Sequence, residues 1–374
     1  MYLPARRVNR ARWTRRFVEP FPRSTPPSPL SAPITDQLEK EKSMSVRIGI
    51  NGFGRIGRSY LRAALRSDAD VEIVAINDIA DAATLASLLE WDSVSGHLDG
   101  VEVDGDAILI AGKRIRVTSE REPSLIPWRA ERVDVVIEST GRFTDSVNAR
   151  QHLTAGARKV IISAPADSDV PAVVLGVNDD VLDMSEDVFS NGSCTTNCLA
   201  PMVKVLHEAF GIESGLMTTI HAYTSDQRLH DAPHSDLRRA RAAALSTIPT
   251  SSGAAATIGR IIPELDGKLT GLSLRVPVPV GSITDLTAHL LRPATVEEIN
   301  EAFRAAAQTP ELSSYLAYSE APLVSADIVG NPHSAIFDAP LTQVVGEQVK
   351  VFAWYDNEWG FSNRLVELSQ RVGS

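Results

Sequence analysis

The sequence predicts an α/β protein in two parts: a doubly wound parallel sheet, then an α+β part built on a large, mostly antiparallel sheet. Three observations carry that expectation. From Val46 onward, short apolar runs alternate with helical stretches, as strands and their covering helices do in a parallel sheet. A glycine-rich turn, "NGFGRIG", separates the first strand from the first helix. After about residue 210, longer β-rich runs replace the alternation.

Residues 1–43 stand apart. They hold seven Arg and two Lys against one Asp and three Glu, and seven of the chain's 22 prolines. Such a stretch buries little apolar surface and is expected to be a disordered extension. Its Arg-rich, acid-poor start resembles a transit peptide. The ordered pattern begins directly after Met44, however, so the expected native start is Met44. "VRIGI" then reads as a short buried strand, "GRSYLRAALRS" as a helix and "VEIVAIND" as the second strand. "VDVVIEST" and "RKVIISAP" are further apolar runs ending in small polar residues. In the second part, "GLMTTIHAYT", "LTGLSLRVPVPV", "SITDLTAHLL" and "QVKVFAWYD" read as strands. Residues 225–250 among them read as an Arg-rich loop.

Composition excludes some functions. With 37 basic and 47 acidic residues the net charge is −10, which disfavours non-specific nucleic-acid binding. No apolar run approaches the length that spans a bilayer. The only two cysteines, Cys194 and Cys198, lie four residues apart. That is no disulfide framework, and it falls short of the four ligands of a structural zinc site. A reactive thiol in a reducing compartment remains.

The glycine-rich turn reads as G-x-G-x-x-G in the right context, with a strand before it, a helix after it and Asp78 closing the next strand 21 residues beyond Gly57. This is the signature of a Rossmann-type dinucleotide site. Gly52 permits a tight turn, Gly54 lets the backbone approach a pyrophosphate, and Gly57 lets helix and strand pack closely. The helix N-terminus offers N–H groups to the phosphates. Asp78 accepts from a ribose 2′-hydroxyl and repels the extra phosphate of NADP, so NAD is expected.

Ser193 is a plausible N-cap for a helix "CTTNCLAPMVKVLHEAF" ending near Gly211, although Pro201 is expected to kink or shorten it. Cys194 then lies in the first turn, where the helix terminus lowers a thiol pKa. Cys198 lies one turn further in and reads as a buried apolar residue.

Taken together, "SNGSCTTNCLAP", "HAYT", "DLRRARAAA", "RVPVP" and "WYDNEWG" resemble the phosphorylating glyceraldehyde-3-phosphate dehydrogenases of bacterial type, from about Val46 to Leu368. The resemblance implies that Cys194 attacks an aldehyde carbon to give a thiohemiacetal and then a thioester. His221 is implied as ion-pair partner and base. Thr224 and Arg275 are implied at the substrate phosphate. Arg239, Ser252 and Gly253 are implied at the inorganic phosphate, with Ser193 and Thr195 close by. Arg55, Ile56, Arg121, Ser163 and Asn357 join Gly52, Gly54, Gly57 and Asp78 as cofactor contacts, and Asn357 matches the partner of the nicotinamide amide. The implied protein is a cytoplasmic homotetramer of glycolysis and gluconeogenesis, using glyceraldehyde 3-phosphate, inorganic phosphate and NAD, with no metal, nucleic acid or membrane. The implied organisation is 44–193 for NAD binding, 194–355 for catalysis and 356–374 returning to the first domain.

Several positions depart from the family pattern. Gly192 stands where Ala is usual, which changes local flexibility. Ser252 replaces Thr and keeps the hydroxyl. Ala256 replaces a Lys. Ala232-Pro233 is intermediate between NAD-specific forms and forms that accept NADP, so use of NADP stays open. Two alternatives share the fold: a dehydrogenase of the erythrose-4-phosphate type, and a non-catalytic protein using Cys194 as a redox sensor.

Overall fold

The computed structural model describes residues 45–374; the expectations for residues 1–43 lie outside the described residues. β1 (Val46–Asn51) is buried along nearly its whole length, as the central strand of a parallel sheet with helices on both faces must be. α1 (Arg55–Arg66) leads to β2 (Val71–Asn77). α2 (Ala82–Glu90) follows, its N-terminus capped by the Asp81 side chain, and then a small ribbon, β3 (Trp91–Asp92) and β4 (Gly96–His97). Next come β5 (Glu102–Asp104), β6 (Ala107–Ile110) and β7 (Lys113–Thr118). β8 (Val135–Glu138), the short helices α3 (Ser146–Ala149) and α4 (Gln151–Thr154), β9 (Lys159–Ile162) and β10 (Val188–Ser190) complete this half.

The strand order is β10-β9-β8-β1-β2-β7-β6-β5. The run from β10 to β7 is parallel, and β7-β6-β5 is antiparallel. That antiparallel wing was not expected, because its strands are only three to six residues long. The chain lays down β2 on one side of β1 and later β8 on the other. The carboxyl ends of β1 and β8 therefore flank the switch point at which such sheets bind ligands.

α5 (Cys194–Phe210) opens the second half. β11 (Ile212–Ala222), β12 (Ile248–Ser251), α6 (Ala254–Ile261), β13 (Leu269–Val276) and β14 (Ser282–Leu290) follow. Then come α7 (Val296–Ala306), β15 (Leu316–Ser319), β16 (Ala335–Asp338), β17 (Gln343–Val345), β18 (Gln348–Tyr355) and α8 (Trp359–Gly373). The sheet order is β12-β13-β11-β14-β18-β16-β15, with β17 on β18. Its pairs are antiparallel except β11–β13 and β15–β16. β14 and β18 alternate buried and half-buried residues, so one face of the sheet covers a core.

α5 runs unbroken to Phe210 with Gly211 as its cap, so Pro201 does not shorten it. The ring removes the donor to the Asn197 carbonyl, but Cys198, Leu199, Met202, Val203 and Leu206 are all fully buried, and packing outweighs the lost bond. α8 leaves the second sheet and packs on the first: Leu365, Leu368 and Val372 share a buried cluster with Ile48, Tyr60 and Val135. Cys194 packs against both main clusters.

Candidate active site

At the switch point, each glycine of the turn has its own reason. Gly52 takes φ +90°, and a Cβ there would lie 2.7 Å from the Thr140 backbone nitrogen. At Gly57 a Cβ would lie 2.3 Å from the Gly52 carbonyl oxygen. At Gly54 nothing lies within 4 Å, so the chain passes open space directly before α1. The α1 N-terminus carries no side-chain cap, which leaves first-turn N–H groups of Arg55 and Ile56 for an anion. The Arg55 guanidinium is committed elsewhere, to Glu358 at 2.8 Å and to Asp92, so this residue offers its backbone.

Asp78 directly follows β2, beside the turn. Its carboxylate accepts from Phe53 N–H at 2.7 Å and from Ala80 N–H at 3.1 Å, and lone pairs remain for a ribose hydroxyl. Arg121 is exposed just beyond β7, the neighbour of β2. Ser163 follows β9 and donates through both N–H and hydroxyl to the Glu138 carbonyl. Asn357, just after β18, accepts at Oδ1 from Gly281 N–H at 3.2 Å and the Ser282 hydroxyl at 3.0 Å, which fixes the orientation of its amide. A cradle open above Gly54, an uncapped helix terminus and a carboxylate beside the turn fit a dinucleotide.

The thiol lies where the two halves meet. Ser193 caps α5 by accepting from Thr196 N–H at 2.9 Å, so Cys194 is the first helical residue. Before it, Gly192 takes φ +63°. A side chain in that left-handed region is strained, so this glycine relieves strain rather than adding flexibility. The Thr195 hydroxyl bonds the Tyr355 hydroxyl at 2.9 Å, which also meets Thr219 at 2.7 Å. Ser193 and Thr195 thus have internal partners for their hydroxyls.

Cys194 Sγ lies 3.4 Å from His221 Nε2. His221 Nδ1 lies 2.7 Å from the Ala222 carbonyl and 2.8 Å from Arg275 Nη1. Arg275 is there by register, since β11 and β13 pair His221 with Arg275. The ring nitrogen can serve only one of these partners at a time. A proton on Nδ1, donated to Ala222, is the tautomer that leaves Nε2 free to receive the thiol proton.

Burial pushes the Cys194 thiol up, against the pull of Arg275 and the Thr195 N–H. The lowered thiol expected from the helix terminus is therefore not found, because desolvation outweighs the terminus. Burial and the Arg275 charge also hold His221 down at about 3. Each charge is disfavoured alone. Made together, by moving one proton across the 3.4 Å contact, they offset each other. A thiolate paired in this way can act as a nucleophile.

Thr224 and Arg275 meet directly, with Arg275 Nη1 3.2 Å from the Thr224 hydroxyl. Arg275 Nε is buried without a partner, a donor left for an incoming anion. Arg239 reaches the Thr250 hydroxyl at 2.8 Å, at the end of β12 and two residues before Ser252. Gly253 is the N-cap of α6. The sequence reading missed Asp226, which accepts from both the Thr224 hydroxyl and Arg239. Burial opposes its charge, yet Thr224, Arg275 and Arg239 hold the carboxyl below its usual range. Its place two residues after Thr224 was the available signal. The site's two arginines are thus linked through one internal carboxylate.

A sheet whose switch-point cleft fits a dinucleotide, beside a cysteine–histidine pair at the adjoining helix terminus, has the make-up of an oxidoreductase with a thiol at its cleft. Comparison with known proteins agrees. Residues 46–146 match the family described as glyceraldehyde 3-phosphate dehydrogenase, NAD binding domain, and residues 193–357 match glyceraldehyde 3-phosphate dehydrogenase, C-terminal domain. Over 337 residues the chain is 58% identical to the glyceraldehyde-3-phosphate dehydrogenase of Mycobacterium avium and 57% identical to that of Mycobacterium leprae, covering 88% of this chain and 99% of each relative. It is 57% identical over 332 residues to glyceraldehyde-3-phosphate dehydrogenase 1 of Streptomyces avermitilis, with the same coverage. The chain belongs to the glyceraldehyde-3-phosphate dehydrogenase family, and its cofactor is NAD. No helix among the described residues is long and apolar enough to cross a membrane.

Proposed function

We propose that this chain oxidises and phosphorylates D-glyceraldehyde 3-phosphate to 1,3-bisphosphoglycerate, as a step of glycolysis and gluconeogenesis. The observation that carries the reading is Cys194 Sγ at 3.4 Å from His221 Nε2, with Arg275 in register beside that histidine. His221 takes the thiol proton, and the sulfur attacks the aldehyde carbon. The Cys194 backbone N–H stabilises the oxyanion that develops. His221 then serves as base toward the thiohemiacetal hydroxyl. NAD, when bound, accepts hydride from that carbon. Inorganic phosphate attacks the thioester left on Cys194 and frees the thiol.

Thr224 and Arg275 hold the substrate phosphate, for which the orphan Arg275 Nε is the support. Arg239, Ser252 and Gly253 hold inorganic phosphate, with Ser193 and Thr195 alongside. Gly52, Gly54, Arg55, Ile56, Gly57, Asp78, Arg121, Ser163 and Asn357 hold the cofactor, and Asp78 favours NAD over NADP. We assign cofactor binding to residues 44–193, catalysis to 194–355 and a returning segment to 356–374. The protein works as a cytoplasmic homotetramer. The exposed Leu229, Leu237 and Leu245 on the Arg-rich loop support self-association. The test is NADH formation with aldehyde, phosphate and NAD. Cys194→Ser is expected to lose about 10³-fold or more in kcat. A higher kcat/KM for erythrose 4-phosphate, or no phosphate-dependent turnover at all, would overturn the reading.

A further inference from the structure

The three strands at the switch point end in polar residues. Asn51 of β1 lies in register with Glu138 of β8 on one side and with Asn77 of β2 on the other. All three side chains are buried, with Glu138 only 1% exposed. Every partner of the Glu138 carboxylate is a donor. Oε2 accepts from Asn51 Nδ2 at 2.6 Å and from His152 Nε2 at 3.0 Å. Oε1 accepts from Thr140 N–H at 2.8 Å and from the Thr140 hydroxyl.

The direction of these bonds is set from outside. The Trp128 indole N–H can only donate, and it donates to His152 Nδ1 at 3.0 Å. That nitrogen carries no proton, so Nε2 must donate toward Glu138. On the other side, Glu120 N–H donates to Asn77 Oδ1 at 2.8 Å. Asn77 Nδ2 then donates to Asn51 Oδ1 at 2.8 Å, which turns Asn51 Nδ2 toward Glu138. Thr140 N–H is a backbone donor. Three chains of hydrogen bonds, each anchored by an obligate donor, converge on one side chain that must accept them all. A carboxylate can do this. An amide would set N–H against N–H.

This hub shapes the cleft floor. The Thr140 hydroxyl, with its proton directed at Glu138, accepts from Arg142 N–H at 3.1 Å. The Ser139 hydroxyl donates to the Gly52 carbonyl at 2.7 Å, so the turn after β8 rests on the glycine-rich turn. The Glu138 carbonyl takes both donors of Ser163, at 3.0 and 2.9 Å. We propose that Glu138 is a positioning residue for the dinucleotide, an acceptor-only carboxylate that holds the Gly52, Thr140 and Ser163 segments in the shape that receives it. This rests on the switch-point cleft being the cofactor site.

The test measures Kd for NAD and NADH by calorimetric titration of the full chain, with KM and kcat alongside. Glu138→Gln is expected to raise both Kd values and the KM for NAD roughly tenfold, the scale of one buried hydrogen bond, while kcat at saturating NAD stays within about twofold. Asn51→Asp, which sets two carboxylates face to face, is expected to do the same. The double variant Asn51→Asp/Glu138→Gln restores a donor facing an acceptor and is expected to recover about half of the lost binding free energy. A general loss of folded protein would instead lower kcat at saturating NAD. Kd within about twofold of the parent in either single variant, or no recovery in the double variant, overturns the proposal. If Glu138→Gln does not fold, Asn51→Asp alone decides by the same criterion. Gly54→Val fills the open space before α1 and controls for the cleft. If it binds NAD like the parent, the cleft reading fails. If it loses NAD while the Glu138 and Asn51 variants do not, only the Glu138 proposal fails.

Discussion

Two thiols one helical turn apart have opposite fates. Cys194 opens a helix against His221 and is only half-buried, whereas Cys198 is fully buried, its thiol pushed up to about 12 by burial. Iodoacetamide with peptide mapping is expected to label Cys194 and leave Cys198 unmodified in the folded protein; equal labelling would mean that the helix opens. His221 carries its own signature. Its folded pKa of about 3 lies below the unfolded value of roughly 6.5. The unfolded chain therefore takes a proton first as pH falls, and stability contributed by the neutral ring is lost between about pH 6.5 and 3. The effect is cleanest without the thiol. From pH 7 to about 4, Cys194→Ala is expected to lose more stability than Cys194→Ala/His221→Asn, by a few kcal/mol at most. Parallel melting curves for the two variants would show that His221 ionises freely.

Strand register places the two arginines differently. Arg275 sits beside His221 because β11 and β13 are parallel neighbours, while Arg239 reaches the site from an exposed loop and rests on Thr250 and Asp226. Removing them should therefore not look alike. Arg275→Ala is expected to weaken aldehyde-substrate binding and to raise the His221 pKa, since it deletes a charge that depresses it. Arg239→Ala is expected to weaken inorganic phosphate, leaving the first burst of NADH largely intact. Charge-assisted bonds of about 1.5–3 kcal/mol correspond to roughly ten- to a hundredfold in kcat/KM. Pre-steady-state bursts with phosphate titration read both effects, and identical profiles would dissolve the two-site assignment. The unit β1–turn–α1–β2 was legible in the sequence because its glycine spacing, flanked by a strand and a helix, lies within a few residues of chain. The Ser193 cap was legible for the same reason. The β5–β7 wing was not, since its strands are too short for periodicity to speak. Glu138 was hidden as well, because its partners meet only in the folded chain, 87 residues away in the case of Asn51, and Asp226 left no signal but its spacing from Thr224.

Across the whole molecule, the last helix binds beginning to end. α8 lies on α1 and β1, and Leu365 is fully buried there. Leu365→Ala is expected to cost about 2–5 kcal/mol, read as a lower melting temperature, and to weaken NAD binding through the Glu358–Arg55 pair just before α8. Unchanged melting would mean that the helix is an accessory. The expectation that 356–374 returns to the first part came from the family resemblance alone, since the apolar stripe of α8 fits either sheet. The Cys194 position has a mechanical meaning. One residue touches the cores on both sides of the join, while its partner His221 is anchored to the second sheet alone. Shear along that join that draws Cys194 away from β11 lengthens the 3.4 Å contact. The sulfur–imidazole distance thus works as a built-in strain gauge. On slow heating, turnover is expected to fade several degrees below the temperature at which helices and sheets melt, and simultaneous loss of both would show the join to be as stiff as the cores it connects.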